Sequence, residues 1–426
     1  MTESVLVCGA GMVGTSIALE LQRRGMKVTL LDRREPGLET SHGNAGIITR
    51  TSLVPINNPM LWQQLPKLML NQSASMRYKL GFMLKNTGWA IRFLLHARPS
   101  AFERTAKALF DLIELSRSEH ARLIKEAEAQ HLVQDDGWLF LYRSMKDFNN
   151  AAFLRQTYQR FGLDMQMLEK GDIAAMEPGL KPIFEQGVWI RDTRSIRDPS
   201  ALVQAYAKLF VTRGGTLAKA NLVAIEQSAD RWHVKASDGE HFSADKLVIA
   251  LGPWSKDFLA RFGFQVPMGY ERGYHMHYSG SGRGEGTDEV TELSRPIYDV
   301  SAGYVLAPMR GGLRLCTGVE LADIDAEKNF AQLELAEASA RQAVTLGERQ
   351  LDEPWMGCRP TMPDCRPVIG AAPGQKDLYF AFGHQHIGVN TGPGTARILA
   401  DQIEGREHKL QSEPFRPERF IRPRKQ

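Results

Sequence analysis

The stretch "SVLVCGAGMVGTSIALELQRRGMKVTLLDRR" (Ser4–Arg34) sits at the start of a 426-residue chain and decides its fold. Val5–Val7 is a short apolar run expected to be a buried strand. Gly9, Gly11 and Gly14 follow as GxGxxG, and a helix carrying Ile17, Leu19 and Leu21 is expected to stop near Gly25. Val28–Leu31 reads as a second strand, ended by Asp32 with Arg33 beside it. Each part has a physical job. Gly9 permits the tight turn, Gly11 lets backbone approach a pyrophosphate, and Gly14 allows close packing of helix on sheet. The helix start adds about half a positive charge and free N–H groups. Asp32 can accept both hydroxyls of an adenosine ribose, and its charge disfavours a 2′-phosphate. Two strands plus an acid about 20 residues on make a strong dinucleotide signal, where a lone GxGxxG would be weak.

That motif does not choose between NAD and FAD. The next residues do. "LETSHGNAGIITR" (Leu38–Arg50) places Ser41, His42, Gly43, Asn44, Ala45 and Gly46 in a second loop of small residues. A nicotinamide domain would continue into another βαβ unit here. A second loop suits a longer ligand, and FAD fits because its ribityl chain and ring must pass more backbone.

Length argues for two domains. The net charge of +4 is too mild for a dedicated nucleic-acid binder. Four cysteines (Cys8, Cys316, Cys358, Cys365) make no disulfide framework and fit reduced thiols. The first strand begins almost at Met1, so no cleaved leader is expected. No apolar run nears the ~20 residues that span a bilayer. The expected address is cytoplasmic, with the inner face of the membrane as the alternative.

Further along, "AKALFDLIELSRSEHARLIKEAEAQ" is a long helix with an apolar stripe at Leu109, Leu112, Ile113, Leu123 and Ile124. "DPSALVQAYAKLFVTRGG" (Asp198–Gly215) is a capped helix. "ADKLVIALGPWS" gives a buried strand ending at Gly252, again facing a ligand crevice. "ERGYHMHYSG" and "PIYDVSAGYVLAPMRGGLRLCTGVEL" alternate as antiparallel sheet. The expected fold is α/β: a Rossmann-like FAD domain from residues 1–55, 193–263 and 350–412, and an α+β substrate domain with a mainly antiparallel sheet from 56–192 and 264–349. Residues 413–426 read as a loose basic tail.

Taken in order, GxGxxG…Asp32, "SHGNAG", "VIALGPWS", "GCRPTMPDCRPVIG" and "GHQHIGVNTGPG" resemble the D-amino-acid oxidase/dehydrogenase family of FAD enzymes. Bacterial D-amino-acid dehydrogenases and glycine oxidase are the most similar-looking members. The resemblance implies FAD-dependent oxidation of the Cα–N bond of a small amino acid, a D-amino acid first, by hydride transfer to flavin N5. A secondary amine (sarcosine, proline or hydroxyproline type) is the alternative substrate. A flavin-binding electron-transfer subunit is the alternative role. It further implies that the turn containing Gly383, Gly388, Gly392 and Gly394 lies at the pyrimidine edge of the flavin, with Gly392–Gly394 opening a helix toward N1 and the C2 oxygen. His384 and His386 sit two apart, but no carboxylate or cysteine cluster supports a metal.

A substrate carboxylate calls for an arginine fork, and Arg272, Arg310, Arg314 and Arg359 are candidates. Arg359 stands where the family keeps its carboxylate-binding arginine. Tyr298 and Tyr304 resemble two active-site tyrosines, although the loop between them is longer here. For each, an ordinary half-buried strand residue is an equal reading. Cys358 and Cys365 flank Arg359, where related enzymes link flavin covalently. The Arg359 pattern matches the non-covalent members, so non-covalent FAD is expected. The resemblance favours a quinone or the respiratory chain over oxygen as acceptor. From Thr40 to Phe102 there is no acid, while Arg50, Lys67, Arg77, Lys79, Lys85, Arg92 and Arg98 are basic. That segment either contacts an anionic membrane peripherally or packs as helices near the flavin phosphates.

Overall fold

The computed structural model describes residues 2–71, 75–228, 230–279, 293–406, 410 and 412–423. Its first sheet has six strands, in the order Thr216–Lys219, Lys27–Asp32, Ser4–Cys8, Lys246–Ile249, Leu378–Phe382 and Val368–Ala371. All neighbours are parallel except the last pair. Strand Ser4–Cys8 is apolar on both faces because both are covered. Val5 and Val7 pack with Ile17, Leu21 and Leu399 of the helices Met12–Arg23 and Gly388–Ile403. Leu6 and Cys8 face a second cluster containing Trp232 and Val234 of a three-stranded antiparallel sheet. The capped helix Pro199–Thr212 starts where Asp198 accepts from Ala201 N–H.

The second sheet has ten strands and is mainly antiparallel. Its longest member, Gly269–Tyr278, pairs with Gly312–Cys316, Val319–Leu321 and Trp355–Thr361. Trp355–Thr361 thus lies in the second sheet, although it falls in the third expected flavin segment. Alternate residues point to opposite faces. The back face buries Tyr274, Met276, Leu306 and Leu315 under the helix Ala331–Ala343. The front face carries Phe140, Tyr298, Arg314 and Arg359 and looks toward the first sheet. The long helix Pro99–Glu126 buries all five residues of its expected stripe.

The tail expectation is corrected. Phe415 and Ile421 are fully buried, and Arg422–Pro423 pairs with Phe264–Gln265. Arg419 lies 3.1 Å from Asp364 and donates to the carbonyls of Arg366 and Pro367. Charge density hid the anchors, which are the apolar residues between the arginines. The last three residues of that tail lie outside the described ones.

Candidate active site

A cavity of about 770 Å³ runs between the two sheets. Its first end is built by the opening glycines. Gly9 has φ +109°, and a Cβ there would lie 2.3 Å from the Ala250 carbonyl oxygen. A Cβ on Gly14 would lie 1.8 Å from the Gly9 carbonyl, so helix and strand touch backbone to backbone. Gly11 caps the helix without a side chain, and no acid occupies the first turn. The positive helix end therefore faces the cavity uncompensated. Ser41 Oγ is 3.1 Å from Met12 N at that end. Asp32 accepts from Ala10 N–H at 2.6 Å and from Arg34 N–H at 3.1 Å. Burial raises its pKa and these backbone donors oppose the rise. Arg33 lies 4.2 Å over the Trp254 ring, next to the turn at Gly252.

The loop of small residues crosses the cavity next. Ser41, Gly43, Asn44 and Ala45 border it. Asn44 accepts from Gly46 N–H at 2.8 Å and donates to the His386 carbonyl at 3.1 Å, so it ties both glycine-rich segments together. His42 and Gly46, expected at the cofactor, are not on the cavity wall. His42 Nδ1 is 2.7 Å from Ser200 Oγ, and its carbonyl accepts from Arg314. Gly46 has φ +70° against the Ile196 carbonyl.

The C-terminal helix begins at Gly388, not at Gly392–Gly394. The residues that reach the cavity are His384–Asn390. Gly392 packs on Met12, and Gly394 packs on Leu112 and Ser116 of the long helix. These two glycines let three helices approach closely and do not touch the cavity, which corrects their expected cofactor role. Gly383, with φ +81°, turns the chain behind the wall against Met362. The helix start still faces the cavity, one turn earlier than expected.

On the sheet side, one of four candidate arginines is free for a ligand. Arg272 is fully buried and spends itself on Glu320 at 3.2 Å, the Tyr274 hydroxyl and the carbonyls of Ala326 and Glu327. Arg314 binds His277 Nε2 at 2.7 Å and the carbonyls of His42 and Asn44. Arg310 is exposed. Arg359 borders the cavity and donates to the Gly318 carbonyl at 3.1 Å, with no carboxylate in ion-pair reach among the described residues.

Tyr298 and Tyr304 do not share a face. Register pairs Asp299 with Tyr304 and Tyr298 with Val305. Tyr298 therefore points to the front, edge-on to Phe140 at 5.3 Å between ring centroids. Tyr304 points back, its hydroxyl 3.5 Å from Arg143 Nη2. It borders the cavity, but its hydroxyl is turned to Arg143, which does not border it. The extra loop residues kept the pleat of this pair out of view in the sequence.

The sequence profile of a family described as FAD dependent oxidoreductase matches residues 4–402. The chain belongs to that family. A D-amino-acid oxidase of Bradyrhizobium diazoefficiens is 30% identical over 424 residues, covering 98% of this chain and 99% of the relative. A D-amino acid dehydrogenase of Methylobacterium nodulans is 26% identical over 425 residues, with 98% and 99% covered. Glycine oxidase from Geobacillus kaustophilus has the same fold at TM-score 0.70 and 19% identity, covering 97% of this chain and 98% of its own.

FAD fits this oxidoreductase on its own geometry. A helix end with no acid in its first turn, Gly9 and Gly14 where no Cβ fits, and a cavity continuing past Asn44 to the second sheet suit a dinucleotide with a long second half. His384 and His386 are held neutral by burial, with pKa values pushed down to about 3 and 4. His384 bonds Thr395 Oγ1 at 2.9 Å. No metal-binding cluster occurs among the described residues. Sequence reasoning passed over Trp355, which borders the cavity and stacks on His275 at 4.8 Å. It also passed over Glu271, the register partner of Arg359. An acid one strand away from a candidate arginine is visible only once the pairing is known.

Proposed function

We propose that this oxidoreductase oxidises a carboxylate-bearing amino acid, a D-amino acid first, by removing hydride from Cα. The observation that carries the reading is Arg359, the one cation on the sheet side of the cavity among the described residues bordering it. A partly buried guanidinium with open donors matches a carboxylate in a two-pronged bond. Bound FAD supplies the two-electron acceptor. The chain's own contribution is orientation. Arg359 fixes one end of the substrate, while Tyr298, Phe140 and Trp355 shape an apolar wall around the rest. Asp257, which borders the cavity, accepts from the Tyr270 hydroxyl, and no carboxylate among the described residues belongs to the wall of Tyr298, Phe140 and Trp355, so an ammonium finds no counter-ion on that wall. The neutral amine that hydride transfer requires is therefore the favoured form. The names of the two curated relatives support a D-amino acid.

An anaerobic screen of D-amino and N-alkyl amino acids tests this through bleaching of the flavin. Bleaching by D-amino acids with release of ammonia is expected. Bleaching by N-alkyl substrates alone would move the reading to a secondary amine, and no bleaching by any amine would leave an electron-transfer role. Non-covalent FAD is part of the proposal. Cys358 lies on the back face opposite Arg272, and neither it nor Cys365 borders the cavity. Acid precipitation should release yellow FAD into the supernatant.

A quinone dissolved in a membrane is the proposed acceptor, and a surface supports it. Among the described residues, seven of the twelve exposed large apolar side chains lie between residues 62 and 95. Leu80 and Leu84 share one face of the helix Leu80–Lys85, as Ile91 and Leu95 do on Thr87–His96. The segment carries basic residues and no acid. Exposed apolar side chains in a basic segment suit an anionic lipid surface, although Lys85 also pairs with Asp323 at 3.3 Å. No helix among the described residues is long and apolar enough to cross a membrane. The holoenzyme should sediment with phosphatidylglycerol vesicles more than with phosphatidylcholine vesicles, and Leu84→Glu with Ile91→Glu should abolish the difference. Equal partitioning of the wild-type protein would remove the membrane from the reading.

A further inference from the structure

Glu271 is fully buried in the middle of the second sheet, an unusual place for an acid. It sits directly across the strand pair from Arg359, on the same face. Thr361 Oγ1 donates to its Oε1, while its Oε2 has no hydrogen-bond partner among the described residues. The two side chains are not in ion-pair contact, yet each lies within the other's field. Among the described residues, Arg359 is otherwise held by a single carbonyl, Gly318. We propose that Glu271 is a positioning residue for Arg359, a buried carboxyl that competes with the substrate carboxylate for the same guanidinium and takes up a proton when that carboxylate binds. The proposal rests on Arg359 receiving the substrate carboxylate.

The surroundings leave Glu271 as the group that can do this. On the neighbouring strand it faces the Thr361 hydroxyl and Arg359. On the other side its register partner is Leu321, which is apolar. From the loop beyond Thr361 it meets the Cys365 thiol, which burial pushes far up. His384, bridged to Thr361, and His386, beside Arg359, are neutral, with pKa values near 3 and 4. Burial lifts the Glu271 carboxyl to about 7, against the pull of Thr361 and Arg359. Two anions then share one cation in a poorly hydrated place. A ligand carboxylate on Arg359 cancels the charge that keeps Glu271 ionised, so the ligand raises the Glu271 pKa further. By linkage, a proton that raises ligand affinity is itself held more tightly when the ligand is bound.

The sign follows. Below about pH 7 Glu271 is already protonated in the free protein, and carboxylate affinity is flat. Above it Glu271 must be reprotonated for the ligand to bind, so affinity falls, by at most about tenfold per pH unit for one proton. Substrate amines titrate in the same range, so the probe should be a carboxylate without an amine.

The experiment titrates the FAD-loaded enzyme with propionate from pH 6 to pH 9, following the flavin spectrum, in wild type, Glu271→Gln and Thr361→Val. Wild type should show a dissociation constant that is flat and then rises. Calorimetry at pH 8 in buffers of different ionisation enthalpy should show proton uptake approaching one per propionate. Glu271→Gln should bind with a flat profile and no uptake. Thr361→Val removes the bond that favours the charged carboxyl, so its break should move to higher pH, whereas a purely structural threonine would leave the break in place. Flat wild-type binding that Arg359→Ala abolishes would overturn the Glu271 proposal and leave Arg359 standing. Propionate binding that Arg359→Ala does not weaken would overturn the Arg359 reading itself.

Discussion

Arg359→Ala should lower kcat/KM for the best amino acid by roughly two to four orders of magnitude. Removing one side of a buried ionic contact costs about 3–5 kcal/mol, because the other charge is left without a partner. Here the stranded charge is the substrate carboxylate, and among the described residues the front face offers no second unengaged cation to receive it. Arg272 cannot take over, since Glu320, Tyr274 and two carbonyls already occupy it. Arg310 cannot either, because its side chain is exposed, nor can Arg314, which is bound to His277 and the carbonyls of His42 and Asn44. Flavin content should stay near normal, because Gly9, Gly11 and Asp32 stand at the other end of the cavity. Arg359→Lys should recover part of the loss, as an ammonium lacks the planar fork. Were Arg359 a structural tie, its bond to Gly318 would be the whole of its role. The variant would then lose about 1 kcal/mol of stability and keep its KM. Melting temperature and KM on one preparation separate the two, and an unchanged kcat/KM would take Arg359 out of the active site.

What the sequence made legible follows a physical rule. Gly9, Gly11, Gly14 and Asp32 could be read because the turn, the helix start and the strand end lie within 24 consecutive residues and constrain one another. The second small-residue loop was legible for the same reason. Arg359 needed the resemblance, since composition offered four arginines and only the folded chain shows Arg272 and Arg314 engaged elsewhere and Arg310 exposed. Tyr304 was beyond reach because a strand flips every side chain when the register is unknown. Glu271 was hidden because its meaning lies in the residue opposite, 88 positions away. The tail misled through its charge, as Phe415 and Ile421 are few among many arginines and prolines. Gly392 and Gly394 show the limit most clearly. Glycines before an amphipathic run have two uses, opening a helix or letting another helix close in. Only the helices packed against them, Met12–Arg23 on Gly392 and Pro99–Glu126 on Gly394, decide between the two.

That long helix also carries a side chain whose loss should be felt strongly. Pro393 sits inside the C-terminal helix, where proline removes an N–H and pushes on the preceding turn. The carbonyl it leaves without a donor is that of Val389, four residues back. His120 supplies the bond, its Nε2 lying 2.8 Å from Val389 O. Its Nδ1 is 3.1 Å from the Tyr206 hydroxyl. Burial pushes the His120 pKa down to about 4, so the ring is neutral at working pH, donating at Nε2 and accepting at Nδ1. One turn earlier, Ser116 Oγ accepts from Gly394 N–H at 3.1 Å. Two residues on one face of the long helix therefore satisfy the backbone around Pro393 in a dry interface. His120→Leu should leave the Val389 carbonyl and the Tyr206 hydroxyl unpaired, at about 1–3 kcal/mol each. Flavin retention should fall with it, since Gly388 and Asn390, in the same first turn, border the cavity. Pro393→Ala restores the missing N–H, so the double variant should regain about 1–2 kcal/mol over His120→Leu. In the wild-type background Pro393→Ala should gain less, because His120 already fills that carbonyl. The difference is the coupling energy of a double-mutant cycle. A Pro393→Ala effect of equal size in both backgrounds would show that His120 does not serve the proline, and its burial would need another cause.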